Sequence, residues 1–323
     1  MREFTAGKND AERRLDRFCL QAAPRLPSGL AQKYIRLGRI KVNGRPARGD
    51  TRLAEGDRVQ MYLNDELFET PGAEEAWRRV KEPRLSVLYE DDNILLADKK
   101  PGVSVHADEE ETVNTLISHI QAYLYHKGEW DPAKENSFSP ALCNRIDRNT
   151  GGIVIAAKNA PALRILNEKI RDREILKFYL CIIHGSMEPQ EGTLEGFLLK
   201  DEGKKQVTVR RAPFPGARKA ITRYRTLKTE GGLSLLECEL VTGRTHQIRA
   251  QFAAEGHPLL GDGKYGIQAK DRPYGRKYQA LYSYKLAFAF RSDAGILNYL
   301  KGAFFRVQDV DFVKEYFTTG TGK

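Results

Sequence analysis

A carboxylate between two arginines is the feature of this sequence best suited to chemistry. The nonapeptide NRIDRNTGG spans residues 144–152 and places Asp147 close to Arg145 and Arg148. Neighbouring cations favour the ionised form of a carboxyl group, and an ionised carboxylate beside a cleft can act as nucleophile or base. The same residue types also form tight turns, so Asp147 could instead simply close an Asx-turn. Taken alone, the nonapeptide leaves both interpretations open.

The elements that must position Asp147 are a turn and the buried strand that follows it. An apolar run at 153–157 begins directly after the nonapeptide. Strand-like runs recur from residue 86 to residue 290, with helical patterns at 113–125 and 162–171 between them. Strands and helices that mix without strict alternation predict an α+β domain with a largely antiparallel mixed sheet.

Length and composition indicate a globular protein of two domains. The chain has 323 residues, of which 41% are hydrophobic and 30% charged. Its apolar runs are too short to cross a bilayer, and residues 1–8 lack the apolar core of a signal peptide. We therefore expect a cytoplasmic protein without a membrane partner.

The sequence shows no pattern for a metal or a cofactor. The four cysteines are scattered singly, and the six histidines lack the spacing of metal ligands. Residues 261–266 match the G-x-G-x-x-G pattern, which binds dinucleotides only between a strand and a helix. Pro258 and Pro273 flank this segment and make that context improbable. We expect no metal and no cofactor.

Positive charge is concentrated at the amino-terminal end. Residues 1–64 contain 14 Lys and Arg against 7 Asp and Glu, whereas the whole chain carries a net charge of +10. Such polarisation suggests a module that binds a polyanion, although a merely solvated basic face has the same composition. We predict a first domain at 1–64, a linker at 65–84 and a second domain at 85–323.

The first domain is predicted to contain two helices and a small hairpin. Apolar spacing indicates one helix around 13–20 and a second at 29–37, with Leu37 on the buried face of the second. The Asn-Gly pair at 43–44 is a strong hairpin signal.

These residues resemble the S4 RNA-binding domain. The match covers residues 14–18, 35–44 and 56–59, where the spacing of turn residues and cations agrees with that domain. The resemblance implies that cations of the second helix meet phosphates of structured RNA. The residues predicted to bind RNA in this domain are Arg14, Lys33, Arg36, Arg39 and Lys41.

Four stretches of the second domain resemble pseudouridine synthases of the RluA type. They are residues 88–106, 144–158, 177–179 and 242–266. The resemblance implies an enzyme that isomerises uridine to pseudouridine in RNA, a reaction that needs no redox partner, phosphate donor or metal. It also implies that the target uridine leaves its stack to reach the site.

The resemblance also implies roles for individual side chains. Asp147 corresponds to the catalytic carboxylate, Arg249 to its arginine partner, and Tyr179 to an aromatic residue that stacks on the displaced base. Whether the carboxylate attacks the nucleotide or removes a sugar proton stays open. The residues predicted to contact RNA around this site are Arg145, Arg148 and Arg244. For His246, a structural hydrogen bond is the favoured interpretation.

The sequence departs from the family pattern at several positions. The family usually reads HRLDRDTSG where this chain has Asn144, Ile146, Asn149 and Gly151, and Leu-His-Ala is common where Leu281-Tyr282-Ser283 stands. These changes remove no essential group, but they leave the RNA target and their own effects undetermined.

The leading hypothesis is an RNA pseudouridine synthase. We expect it to be a monomer that acts on structured RNA, foremost 23S ribosomal RNA or a ribosome-assembly intermediate. The alternatives are a non-catalytic RNA-binding or ribosome-assembly factor on the same fold, and a tRNA-directed synthase.

Overall fold

The structure, a computed structural model, describes residues 1–69, 76–201, 203 and 206–317. Residues 70–75 of the predicted linker and 318–323 of the predicted second domain lie outside the described residues. The described part contains two sheets. The first sheet packs on one hydrophobic core, and the second has a core on each of its faces.

The first sheet has four antiparallel strands in the order β1-β4-β2-β3 and packs against two helices. The strands are β1 (Arg2–Thr5), β2 (Ile40–Val42), β3 (Arg45–Pro46) and β4 (Arg58–Met61). The helices are α1 (Leu15–Ala22) and α2 (Ser28–Arg36).

The buried face of α2 differs from the sequence prediction. Ala31 and Ile35 are buried, whereas Leu37 is 59% exposed and lies just beyond the end of the helix. Gly38 then turns the chain with a positive φ of 68°. The prediction for Leu37 was wrong because the helix ends one residue earlier than expected, so the helical spacing no longer applies there.

The second sheet has 11 strands. Nine lie in the order β11-β10-β12-β13-β9-β14-β8-β6-β5, while β15 pairs with β14 and β7 with β8. The strands are β5 (Val87–Glu90), β6 (Ile94–Lys99), β7 (Ala141–Leu142), β8 (Gly151–Ala157), β9 (Ile175–His184), β10 (Glu191–Asp201), β11 (Gln206–Arg210), β12 (Arg218–Glu230), β13 (Leu233–Leu240), β14 (Leu281–Phe288) and β15 (Phe304–Arg306). Its pairings are antiparallel except for β14 with β8.

Helices cover both faces of this sheet. The α-helices are α3 (Leu116–His126), α4 (Ala160–Arg171), α5 (Gln247–Ala254), α6 (Gln268–Asp271) and α7 (Asp311–Tyr316). Short 3-10 helices span Asp65–Phe68, Ala76–Arg79, Arg272–Tyr274 and Gly295–Leu300. The predicted α+β class is confirmed.

The strand β6 shows how the sheet separates two cores. Ile94 and Leu96 point into one cluster, and Leu95 and Ala97 point into the other, as the two-residue period of a strand requires. The second cluster lies on the same side of the sheet as Tyr179. A continuous apolar strand is therefore expected wherever helices pack on both faces.

Polar contacts join the two parts of the molecule. The side chain of Asn9 donates to Glu135 at 2.7 Å. The buried carboxylate of Asp10 accepts hydrogen bonds from Asn136, at 2.8 Å, and from Ser137. Because these groups are satisfied by one another, the first sheet is held against the second by specific contacts as well as by the chain.

The connection between the sheets contributes to both cores. Phe68 packs in the core of the first sheet, and Trp77 packs in a core of the second. The boundaries at 64 and 84 stay predictions. Among the described residues, no helix is both long enough and apolar enough to cross a membrane.

Candidate active site

Asp147 lies in the loop that leads into β8, and this loop is anchored by a close approach of two strands. Its carbonyl accepts the amide of Thr150 at 3.0 Å. Two residues further on, Gly152 has a φ of +112°, and a Cβ there would lie 2.2 Å from the carbonyl oxygen of Ser283. Only glycine permits this parallel contact of β8 with β14, which fixes where the loop ends and β8 begins.

The side chain of Asp147 is held by an arginine that is itself held by a second carboxylate. Nη1 of Arg249 donates to Oδ2 of Asp147 at 2.7 Å. Nε and Nη2 of Arg249 donate to the two oxygens of Asp262 at 2.7 and 2.8 Å. A two-point contact of this kind fixes the plane of the guanidinium group, and through it the position of Asp147.

Exposure differs sharply among these three side chains. That of Asp262 is 0% exposed, that of Arg249 is 7% and that of Asp147 is 26%. Burial alone would raise the pKa of Asp262, but the hydrogen bonds and charge of Arg249, together with the amides of Lys264 and Tyr265, outweigh burial and lower it. Asp262 is therefore a fixed buried anion, whereas Asp147 keeps part of its carboxylate exposed to solvent.

Lys99 supports the same loop from the other side. Its ammonium group is buried and donates to the carbonyl oxygens of Lys100, Val103 and Arg148 at 3.1, 2.9 and 2.8 Å. Burial lowers the pKa of Lys99 to about 7, against the opposing effect of Asp147 and a further carboxylate. The last of these bonds ties the end of β6 to Arg148, the residue that follows Asp147.

Tyr179 lies on β9, beside Asp147 and almost out of contact with solvent. It belongs to the same buried cluster as Ile146 and Ile248, which precede the aspartate and the arginine in the sequence. Burial raises the pKa of Tyr179 to about 12, and the charge of Asp147 acts in the same direction. Its hydroxyl therefore keeps its proton near neutral pH and can act as a donor.

The arginines next to Asp147 in the sequence have other neighbours. Arg148 pairs with Glu110 and donates to the carbonyl of Gly102 at 3.2 Å. Arg145 is exposed and lies near His106, whose pKa it helps to lower after burial. The cation in direct contact with Asp147 is Arg249, which lies 102 positions away in the sequence. Arg145 is thus available to a ligand, whereas Arg148 is engaged within the protein.

The other cations predicted to bind RNA are mostly exposed. Lys33 and Arg36 lie on the outer side of α2, and Arg39 follows it with its guanidinium 5.3 Å from the ring centre of Tyr34. Arg14 is engaged in two hydrogen bonds with Asp16. The remaining two are Lys41, which lies 5.6 Å from the ring of Tyr62, and Arg244, which donates to the carbonyl of Lys219 at 3.2 Å. Roles in RNA binding stay predictions for all of them.

His246 lies next to the carboxylate as well. Its Nε2 is 3.9 Å from Oδ2 of Asp147, and its Nδ1 is 2.9 Å from the hydroxyl of Tyr265. The ring of Tyr265 also covers the guanidinium of Arg249, at 5.3 Å. The structural hydrogen bond expected for His246 is present, and the other ring nitrogen lies on the side of Asp147.

Two supporting residues were not identified from the sequence. Asp262 falls inside the G-x-G-x-x-G match at 261–266, which runs through turns into the four-residue helix α6 instead of a strand and a long helix. Lys99 ends an apolar strand, and a lysine in that position is a recognisable sign of a buried ammonium group. Neither partner set could be derived without the tertiary fold.

Gly151 and Tyr282 are two departures from the family pattern that lie in steric contact with each other. A Cβ at Gly151 would lie 2.4 Å from Cε2 and 2.6 Å from Cδ2 of the Tyr282 ring. The ring is buried, and its hydroxyl donates to Asp98 at 2.6 Å, so it cannot easily move aside. The larger residue on β14 thus requires the smaller one on β8. Asn144 has a separate role, because its side-chain oxygen accepts the amide of Ile155 at 2.8 Å.

We expect Gly151→Ser to destabilise the protein by about 1–3 kcal/mol, because overpacking a buried site has a cost of that order. Adding Tyr282→His, which restores the residue pair usual in the family, should recover part of that loss. Urea denaturation of both single variants and the double variant gives the coupling energy. Strictly additive losses would show that the two positions do not compensate each other.

Two known protein families match this chain. The family model described as RNA pseudouridylate synthase matches residues 93–254, and the model of the S4 domain matches residues 13–59. The matched ranges contain Asp147, Tyr179 and Arg249 in the first case, and most of the basic amino-terminal segment in the second.

Individual relatives agree with these matches. An uncharacterised RNA pseudouridine synthase of Mycoplasma genitalium is 32% identical over 88% of this chain and 88% of that protein. Ribosomal large subunit pseudouridine synthase C of Haemophilus ducreyi is 30% identical over 83% of this chain and 80% of that protein. The structure of human RNA pseudouridylate synthase domain containing 4 aligns with a TM-score of 0.53 at 19% identity, over 70% of this chain and 89% of that one. At this level of identity, the likeness to the human structure shows a shared fold alone.

Proposed function

The chain belongs to the RNA pseudouridine synthase family and carries an S4 domain, and from this premise we propose that it modifies uridines of 23S ribosomal RNA with Asp147 as the catalytic carboxylate. That it forms pseudouridine in RNA follows from the family. The particular RNA and the roles of individual residues are the proposal.

The reaction breaks one bond to the sugar and forms another. The N1–C1′ bond of uridine breaks, the base rotates, a C5–C1′ bond forms, and the proton on C5 is released while N1 gains one. We assign the step at the sugar to Asp147, its alignment to Arg249, and the contact with the displaced base to Tyr179. The target nucleotide must leave its stack, at a cost of about a few kcal/mol.

The observation that carries this assignment is the ion pair between a partly exposed carboxylate and a buried arginine. Asp262 fixes the guanidinium group of Arg249, and this group in turn donates to Asp147. The aspartate is therefore oriented without the aid of a ligand. Preorganised charges of this kind are effective because they need no rearrangement during the reaction. A carboxylate that only closed a turn would need no such support.

The ribosomal target is supported by the relatives and by the charge of the S4 domain. Proteins named ribosomal large subunit pseudouridine synthase C, from Haemophilus ducreyi and Vibrio cholerae, are 30% and 29% identical to this chain. The exposed cations of α2 suit phosphates of a structured RNA. The proposal places the enzyme in the cytoplasm, where ribosomes assemble.

Pseudouridine mapping across all RNA, with and without the gene, tests the target. We expect specific sites in 23S ribosomal RNA to be lost on deletion and restored by the wild-type gene. Loss confined to tRNA would replace the ribosomal proposal by the tRNA-directed alternative. An unchanged map with defective ribosome assembly would favour the non-catalytic alternative, which now stands against the family evidence.

We expect reversal of two charges on the S4 domain to weaken RNA binding through electrostatics alone. Arg36→Glu with Arg39→Glu should lower affinity and reduce the slope of log K against log salt by about 2, because each phosphate contact contributes about one unit. Fluorescence anisotropy from 50 to 300 mM salt (roughly the range in which such slopes are measured) gives the slope.

The matched control reverses two exposed cations of the second part of the molecule. Arg171→Glu with Lys301→Glu changes the net charge by the same amount at exposed positions outside the residues that match the S4 domain. An equal loss in both double variants would show that the overall charge matters and that α2 has no special contact with RNA.

A further inference from the structure

The backbone at His246 adopts a conformation that most residues avoid. Its φ of 52° and ψ of 22° are left-handed, at the position directly before α5. Residues other than glycine rarely adopt this region, and holding one there costs about 1–3 kcal/mol. This strained backbone carries an imidazole ring that reaches the edge of Asp147.

Hydrogen bonding assigns the proton on the ring of His246. The hydroxyl of Tyr265 accepts the amide of Val207 at 2.8 Å, so its own single proton is available for donation. The nearest acceptor is Nδ1 of His246, at 2.9 Å. When Nδ1 accepts, the proton of the neutral ring lies on Nε2, the nitrogen that faces Asp147.

The surroundings keep the ring neutral. Burial lowers the pKa of His246, and the cations Arg249 and Lys264 act in the same direction. The carboxylates of Asp147 and Asp262 oppose this effect but do not reverse it. Near neutral pH, His246 therefore presents one fixed N–H donor on the side of Asp147.

This donor and Asp147 are spaced so that one further atom can bridge them. At 3.9 Å, Nε2 and Oδ2 are too far apart for a direct hydrogen bond, yet one oxygen atom placed to the side of the pair, about 2.8 Å from each, can contact both. In the described part of the chain, no other group bonds to Nε2. A hydroxyl fits both partners, because it can accept from Nε2 and donate to Oδ2, whereas a carbonyl can only accept.

We propose that His246 and Asp147 together bind the 2′-hydroxyl of the target uridine, so that this pair of side chains selects RNA over DNA at this nucleotide. The inference rests on the proposed role of Asp147 at the sugar. Within a chain, the 3′ and 5′ oxygens are esterified to phosphate, so the 2′-hydroxyl is the free hydroxyl of the ribose. It lies on the carbon next to C1′, where the glycosidic bond breaks.

The test compares ribose with 2′-deoxyribose at the target nucleotide. Two synthetic RNAs that differ only there are given to the wild-type enzyme and to His246→Leu, and kcat/KM and Kd are measured for all four pairs. The RNA is one that the wild-type enzyme converts, from whichever RNA class, so failure of the ribosomal proposal leaves this test intact. Asp147→Ala tests the role of the aspartate separately.

We expect the wild-type enzyme to prefer ribose by about 100-fold, because a site built for a hydroxyl rejects the analogue without it. His246→Leu should reduce this preference to about 10-fold, the part that Asp147 still supplies. The ratio of the two preferences cancels any intrinsic effect of deoxyribose on the chemistry. Equal losses on both RNAs would overturn the proposal, since His246 would then act without touching the hydroxyl.

Two further variants separate a binding role from a structural one. His246→Gln keeps an N–H donor and should restore much of the preference for ribose. Tyr265→Phe removes the group that fixes the ring proton, so its preference should fall between those of the wild-type enzyme and His246→Leu. The assigned proton position would be contradicted if Tyr265→Phe kept the wild-type preference for ribose while His246→Gln lost it. Only variants whose thermal unfolding is unchanged are compared.

Discussion

Asp147→Ala is expected to lower pseudouridine formation by about 10⁴-fold or more, because removing the group that acts on substrate leaves only binding and orientation. The assay is release of tritium from RNA labelled at C5 of uridine, since C5 loses its proton when the new bond forms. Affinity for RNA should be unchanged or slightly higher, as one negative charge beside a polyanion is removed. The loss should therefore lie in kcat.

Two companion variants make this result specific. Asp147→Asn keeps the shape of the side chain and an oxygen that can accept from Arg249, and it should be as inactive as the alanine variant. Asp92→Ala removes an exposed carboxylate elsewhere on the same part of the molecule and should stay within about three-fold of wild type. Appreciable tritium release by both variants of Asp147 would remove the aspartate from the mechanism.

The sequence was sufficient to identify Asp147 as a candidate, but the support of this residue is tertiary. Asp147 and Arg249 are 102 positions apart, and their pairing was expected only through the family resemblance. The residues adjacent in sequence suggested that flanking arginines hold the carboxylate. Arg148 turns away to Glu110 instead, because the tight turn after Asp147 directs successive side chains apart.

The groups behind the site were the hardest to predict. Lys99 and Asp262 are both buried ionisable residues, and their partners are backbone carbonyls and an arginine brought close by folding. Composition and periodicity report which face of an element is apolar, but they do not report where an isolated buried charge finds its partner. Asp262 also lies inside the coincidental G-x-G-x-x-G match, which gives no indication of its contact with Arg249.

Secondary structure was predicted best where the apolar pattern was longest. The run at 153–157 became the buried strand β8, and α1 buries Leu15, Phe18 and Cys19 as their spacing indicated. The exposed position of Leu37 shows the limit of such patterns at the end of a helix. A residue one position beyond the last turn no longer shares the phase of the helix.

Arg249→Met is expected to lower the free energy of unfolding by about 3–5 kcal/mol at pH 7, because it leaves the buried carboxylate of Asp262 without its cation. Activity should fall by at least about 100-fold, since Asp147 also loses the group that orients it. Urea denaturation and the tritium assay measure the two effects. Arg249→Lys should not rescue either, because an ammonium group cannot make the two-point contact.

A second substitution should separate stability from activity. Asp262→Asn removes the buried charge but keeps an oxygen for the amides of Lys264 and Tyr265, which Asp262 accepts at 2.9 and 3.2 Å. The double variant Arg249→Met with Asp262→Asn should therefore recover much of the lost stability. It should remain inactive, because Asp147 still lacks its partner. Recovery of both properties together would mean that Arg249 serves only the fold.

The pH dependence of Arg249→Met gives an independent check on this argument. In the wild-type protein the pKa of Asp262 is depressed below the unfolded value of 3.8, so the stability it contributes is present above that pH and is lost as the pH falls through the depressed pKa. Without Arg249, only the amides of Lys264 and Tyr265 still oppose the effect of burial on the pKa of Asp262. The pKa therefore rises, and the charged form is penalised increasingly as the pH rises above 3.8. The stability difference between variant and wild type should consequently be larger at about pH 7 than at about pH 4. A difference independent of pH would show that lost packing of the arginine stem, and not the unpaired carboxylate, destabilises the variant.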